Sequence, residues 1–177
     1  MPWISDLIFG EKMEQEYLKY TDCKQYIKIN GNFKYYDFKL IDSNDDIYYI
    51  EVKADRQARN TNNIFIEYEC NNKPSGITTT QADYIAYFIN YPTKESLEKF
   101  NDEIKDKKLN YYQKKNLENK ILDFNNDYTI YELKTDKLKE MIKDKKYNRN
   151  YEGIIEGKKV KGYLFNKDLF KSQIIHG

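Results

Sequence analysis

The sequence predicts an α/β domain: a central mixed β-sheet flanked by helices. Three segments carry this expectation. Residues 5–20 repeat apolar side chains at helical spacing, residues 47–54 form a strand that is apolar on both faces, and residues 63–70 alternate as a half-buried strand. A chain of 177 residues fits one domain, with a core over about 5–92 and a C-terminal elaboration over 93–177.

In order along the chain, Leu7, Ile8, Met13, Tyr17 and Leu18 define the first helix, with Ser5 or Asp6 as its cap. Residues 33–41 and 47–54 flank the polar run Asp-Ser-Asn-Asp-Asp and read as a β-hairpin turning at 42–46. A polar loop at 55–62 leads to the strand at 63–70, and residues 71–76 turn the chain. Thr78, Thr79 and Thr80 cap a helix that runs into a strand at about 84–90. Helical spacing then occupies 94–120, a strand 128–133, a short helix 136–145, and a hairpin or strand with a closing helix 153–170.

Composition removes several chemistries. Thirty basic residues against 29 acidic ones leave a net charge of +1, so this is no polycation. That balance conceals an asymmetry: residues 1–90 carry 10 basic and 14 acidic side chains, and residues 91–177 carry 20 and 15. Eighteen Tyr and nine Phe supply aromatic burial that argues against long disorder. The abundant Tyr and Asn fit an AT-rich coding sequence as well as any binding role. Cys23 and Cys70 are too few and too far apart for a disulfide framework or a zinc knuckle. His176 is the sole histidine and lies in the tail, which leaves catalysis to carboxylates, lysines or tyrosines. No segment has a leader pattern or the ~20 apolar residues of a membrane span, so a soluble, intracellular protein is expected.

The chemistry concentrates in the hairpin. Glu51 and Lys53 stand two residues apart on a strand and therefore leave the same face. A turn symmetric about Asn44 pairs residues whose numbers sum to 88, which sets Asp37 opposite Glu51. Two carboxylates meeting in this way need a cation. The same triplet recurs at Glu103/Lys105, Glu118/Lys120, Glu132/Lys134 and Glu156/Lys158; only Glu132/Lys134 also falls on a strand, and no hairpin strand bearing an acid precedes it. A structural cross-strand ion pair is the competing account of Glu51/Lys53. Glu14, on the helix face shared with Tyr17, is a candidate third acid, and Glu11 is its alternative.

Phe9-Gly10-Glu11-Lys12-Met13-Glu14, Tyr36-Asp37 and Ile50-Glu51-Val52-Lys53, in the order helix, strand, turn, strand, resemble the PD-(D/E)XK nuclease superfamily. Tyr36 stands where that family usually has proline. Over residues 9 to about 90 the chain is most similar to small phage-type and archaeal Holliday-junction-resolvase-like endonucleases; the stretch 73–84 and the late Lys161-Gly162-Tyr163-Leu164 look like elements of phage-type members. The resemblance implies a restriction-endonuclease-like core and a Mg²⁺-dependent endonuclease of DNA, branched or duplex, in which Mn²⁺ substitutes for Mg²⁺. Asp37, Glu51 and the Val52 carbonyl would hold the metal, Glu14 would contribute directly or through water, and Lys53 would orient the attacking water or stabilise developing charge. A homodimer is expected, because two strands need two cuts. An unrelated alternative is a non-catalytic module that binds nucleic acid or protein on the same fold.

Candidate DNA contacts are Arg56 and Arg59 in the loop after Lys53, then Lys73, Ser75, Thr79 and Gln81, with a helix N-terminus at Thr79 suited to a phosphate. Solvated loops and ordinary caps account for the same residues equally well. Glu67 and Glu69 share a strand face, where edge-strand solubility competes with a place beside the metal. Lys143, Lys145, Lys146, Arg149, Lys158, Lys159 and Lys161 form the densest basic cluster, interrupted by acids.

Overall fold

The computed structural model describes residues 2–29, 35–55, 58–105, 107–121, 128–155 and 157–176. The chain divides into two compact units, one formed by residues 1–89 and 129–177 and the other by residues 90–128. The C-terminal strands thus belong to the same unit as the N-terminal hairpin.

In the larger unit, α1 (Pro2–Tyr17) packs on β3 (Ile47–Asp55) and buries Met13 and Tyr17 completely. The helix starts at Pro2, whose missing N–H costs nothing at a first helical position, so Ser5 and Asp6 lie inside the helix and are not its cap. Its partner is a six-stranded mixed sheet in the order β1 (Cys23–Lys28), β2 (Phe38–Asp42), β3, β6 (Tyr84–Asn90), β7 (Tyr128–Lys134), β10 (Ile174–His176). β1, β2 and β3 are an antiparallel meander, and β3 runs parallel to β6.

The register from Phe38/Ile50 to Ile41/Ile47 is the expected one, each pair summing to 88, but the ladder ends there and the expected Asp37/Glu51 pair is not part of it. Asp42 sets the turn, because its carboxylate accepts the N–H groups of Asn44 and Asp46. The strand starts later than expected, at Phe38; residues 33 and 34 lie outside the described residues.

β4 (Asn63–Cys70) does not pair with β3. It joins β5 (Lys73–Pro74), β9 (Lys158–Asn166) and β8 (Arg149–Ile155) in a second, antiparallel sheet ordered β5-β4-β9-β8. The chain therefore passes between the parallel strands β3 and β6 through α2 (Ala58–Thr61), β4 and β5, with no long helix in the crossover. Tyr87 ties the two sheets together: its hydroxyl donates to Asp55 Oδ2 at 2.5 Å and accepts the Phe65 N–H at 3.1 Å. Burial, followed by the Asp55 carboxylate, holds the Tyr87 phenol well above its ordinary pKa, so it stays a donor.

The helix expected after Thr78–Thr80 is absent. A single 3₁₀ turn, Gly76–Thr78, precedes β6, and Thr79 is its C-terminal cap. The turn is set by Gly76 at φ +51°, where a Cβ would meet the Glu67 carbonyl oxygen at 2.3 Å. α5 (Thr135–Lys143) follows β7.

The smaller unit holds α3 (Lys94–Ile104) and α4 (Tyr111–Ile121). Thr93 caps α3 by accepting the Ser96 N–H, and Asn110 and Gln113 exchange side chain-to-backbone hydrogen bonds at the start of α4. No helix among the described residues is long and apolar enough to cross a membrane.

Candidate functional site

Four acids and two lysines gather where the antiparallel meander ends. The regular β2–β3 ladder stops at Phe38/Ile50, and Asp37 then clasps β3 in two ways. Its N–H donates to the Ile50 carbonyl at 2.8 Å, and its carboxylate accepts the Val52 N–H at 2.7 Å. Asp37 is therefore fixed beside the Glu51–Val52–Lys53 segment by its own side chain, one step beyond the last regular pair. Alternation along a strand sends the Val52 carbonyl toward the same edge as its N–H, so a backbone oxygen joins the carboxylate there.

On the neighbouring face Glu51 is buried, with a side chain only 9% exposed, and its Oε1 pairs with Lys53 Nζ at 2.7 Å while Lys53 is half exposed. Glu51 Oε2 is buried with no hydrogen-bond partner. A solvent-excluded carboxylate oxygen without a donor is costly, and such an atom calls for an explanation. Glu14 reaches the cluster from α1 and pairs with Lys28 of β1 at 2.8 Å.

The electrostatics follow from this crowding. Burial pushes the Asp37 carboxyl up to about 6; the Val52 N–H and the Lys53 ammonium pull it down, and the Glu14 and Glu51 charges push it up again. For Lys53, desolvation lowers the ammonium pKa, but its attraction to and hydrogen bond with Glu51, and the fields of Asp37 and Glu67, outweigh that and leave it raised.

Of the strand acids Glu67 and Glu69, Glu67 is the one that bears on Lys53. A bulge in the β4–β9 ladder lies between Glu67 and Glu69, so the two do not act together. Glu67 accepts the Ser75 hydroxyl at 2.6 Å and bears on Lys53, whereas Glu69 pairs with Lys161 at 2.7 Å. β5 pairs with β4 only at Glu69 and Cys70, so Glu69 does not lie on a free edge, and the short β5 does not extend to Glu67.

Lys28 was hidden, because β1 has no apolar period: Tyr26 and Ile27 are 49% and 44% exposed. Only the ladder reveals it. Lys28 faces Phe38, and the Ile29 N–H continues to the Asp37 carbonyl.

The cluster carries an excess of acid. Four carboxylates, Glu14, Asp37, Glu51 and Glu67, stand against two ammonium groups, Lys28 and Lys53, an excess of two negative charges when all are ionised. Their oxygens are hard donors of the kind that Mg²⁺ prefers, and one of them, Glu51 Oε2, lacks a hydrogen-bond partner. Among the described residues no group of three or more His, Cys, Asp or Glu side chains is arranged to hold a metal ion.

The DNA-contact candidates fare unequally. Ser75 is drawn to the cluster through Glu67, and Lys73 is exposed on β5. Arg56 lies outside the described residues, and Arg59 sits on α2. Thr79 is corrected: as the C-terminal cap of a 3₁₀ turn whose hydroxyl donates to the Gly76 carbonyl at 3.3 Å, it offers no helix N-terminus to a phosphate. Gln81 is exposed, and its backbone N–H donates to the Tyr35 carbonyl. In the basic cluster, Lys146, Lys159 and Lys161 pair with Asp144, Glu152 and Glu69. Comparison with protein-family models, with curated proteins and with solved structures finds no match to this chain.

Proposed function

We propose that this chain is a Mg²⁺-dependent endonuclease that hydrolyses DNA phosphodiester bonds, on a restriction-endonuclease-like core of the PD-(D/E)XK type. The observation that carries the reading is the buried, partnerless Glu51 Oε2 beside an Asp37 carboxyl pushed up to about 6. Both are what a carboxylate site looks like when its charge is arranged for a cation from outside the protein.

Asp37, Glu51 and the Val52 carbonyl would hold the ion, and Mn²⁺ would serve in its place. Glu14, engaged by Lys28, would contribute directly or through water. The ion, when bound, supplies a water of lowered pKa and charge to offset that building on the phosphoryl oxygens. Lys53, half exposed, is held by Glu51 Oε1 in the ion-free protein; swung toward the phosphate, it orients the attacking water or meets the developing charge. The substrate is DNA, duplex or branched, within a cell, and a homodimer delivers one cut to each strand.

The test is cleavage of a panel of four-way junction, duplex and single-stranded DNA and RNA, with and without Mg²⁺ or Mn²⁺. Metal-dependent scission that disappears in Asp37→Ala, Glu51→Ala and Lys53→Ala proteins that still fold is the expected result. Scission that persists in those variants, or none on any substrate, defeats it. One observation favours a second reading, a non-catalytic binding module: Lys53 and Lys28 already neutralise Glu51 and Glu14 inside the protein. That module would bind nucleic acid equally well after all three substitutions and would cut nothing.

A further inference from the structure

A concave feature lies on the other side of the 73–78 segment from Glu67. It is an open groove of about 470 Å³ walled by β4, β9, α5 and that segment, a size in the range of small-ligand sites. Tyr68 and Tyr163 line it, their rings 4.8 Å apart and tilted by 39°, and Tyr147 backs Tyr163 at 4.7 Å. Pro74, Ile77 and Ile142 provide apolar walls. The charges on its rim do not cancel. Glu69 is neutralised by Lys161, while Lys139 has no ion-pair partner among the described residues. An open groove lined by two tyrosine rings, with one ammonium outside any ion pair among the described residues on its rim, complements a ligand that is flat at one end and anionic at the other.

The groove also adjoins the carboxylate cluster. Across the β4 bulge Glu67 turns to the cluster and Tyr68 and Glu69 turn to the groove. The same division runs through the turn: Ser75 and Gly76 meet Glu67, whereas Pro74, Ile77 and Thr78 line the groove. One short segment of chain forms the wall between the two.

We propose that this groove is a subsite for a single nucleotide of the bound strand, with its base against Tyr68 and Tyr163 and its phosphate at Lys139. The assignment rests on the nuclease reading: a strand whose reacting phosphate lies at Asp37 and Glu51 continues past the 73–78 segment, and a base extruded there finds an aromatic platform.

The experiment is fluorescence anisotropy of a fluorescein-labelled, twelve-residue thymidine oligonucleotide titrated with the full chain in EDTA, where no cleavage intervenes. Tyr163→Leu and Tyr68→Leu should each weaken binding by about 5- to 150-fold, the range for loss of one base–aromatic stack. Tyr163→Phe, which keeps the ring, should bind within about twofold of the parent, and Lys139→Gln should flatten the salt dependence by about 0.7 in slope. Thermal melting establishes that each variant is folded; should one leucine variant fail, the other and Lys139→Gln carry the test. The subsite is overturned if folded leucine variants bind as the parent does, or if the parent does not bind the oligonucleotide. Failure of the nuclease reading looks different: binding remains sensitive to Tyr163 while Mg²⁺ produces no scission.

Discussion

Two strands of the same sheet carry Glu-x-Lys, and the triplet meets opposite fates. On β3, Glu51 is buried, pairs with its own Lys53 and keeps one oxygen without a partner. On β7, Glu132 accepts the Tyr17 hydroxyl at 2.7 Å, and Lys134 is exposed at the N-terminal boundary of α5. Tyr17 is buried, and burial, followed by the Glu132 charge, holds its phenol far above the ordinary value, so it remains a donor. The difference comes from what the neighbours supply. Beside β7 stands a neutral donor that satisfies the acid, and beside β3 stand Asp37 and Glu14, which add charge. A short motif acquires chemistry only when adjacent elements leave it electrostatically unfinished.

The largest expected effect separates these two sites. Glu51→Gln removes a charge from the cluster without changing its shape, and Mg²⁺-dependent scission should fall by at least ~10³-fold, the scale on which a preorganised charge contributes to a rate. Glu132→Gln, the same change one face of the sheet away, should leave scission within about twofold. Equal losses in both would dissolve the contrast.

The next effect compares two glycines. Gly76 and Gly157 both have positive φ, +51° and +78°, but a Cβ on Gly76 meets the Glu67 carbonyl at 2.3 Å and one on Gly157 meets nothing within 4 Å. Gly157→Ala should cost about 1–2 kcal/mol from backbone conformation alone. Gly76→Ala should cost about 2–4 kcal/mol, because β4 must shift as well. It should also reduce scission, since Glu67 moves with that strand. Denaturant melts of both variants decide this, and equal costs would show that the close approach carries no energy.

The acidic site should also reveal itself through pH. Asp37 has a folded pKa of about 6 against an ordinary 3.8, so between these values the folded state binds more protons than the unfolded state. In metal-free protein, stability should therefore fall as pH rises from 4 to 6, and the cost is full above 6. The shift corresponds to about 2–3 kcal/mol. Asp37→Asn should be more stable than the parent at pH 7, equal to it near pH 3.5, and inactive. Chemical denaturation at several pH values measures this, and a variant less stable than the parent at pH 7 would contradict the charge account.

Much of this geometry could be read before any coordinates. The hairpin register was legible because Asp42 and the turn after it fix where the strands reverse, and one apolar period runs through both arms. With the register came the places of Glu51 and Lys53 on β3, while Asp37 lies one step beyond the last regular pair. The lysine that completes the cluster was not legible, because β1 exposes Tyr26 and Ile27 and so has no face to betray it. Glu67 and Glu69 were legible as a pair of candidates, but the bulge between them, which breaks the two-residue alternation that strand reading assumes, hid that they part company. The threonines after Gly76 look like a helix cap; tertiary bonds claim them instead, with Thr80 Oγ1 donating to the Tyr35 carbonyl and accepting the Ala82 N–H. Local signals located the acids, and long-range pairing decided which of them stand together.

The smallest expected effect probes the finished half of the comparison. Tyr17→Phe deletes the hydroxyl that satisfies Glu132 and leaves a half-buried carboxylate without that donor, which should cost about 1–2 kcal/mol. In a protein of this size that lowers Tm by several degrees. Combining it with Glu132→Gln should recover part of the loss, because an amide tolerates a missing donor better than a charge does, and the recovered fraction measures how much of the penalty is electrostatic. Scission should be unchanged in all three proteins, since neither side chain belongs to the cluster at Asp37. A fall in scission in proportion to the loss of stability would make α1, through Tyr17, a support on which the placement of Glu14 depends, and would join the two halves of the sheet into one site.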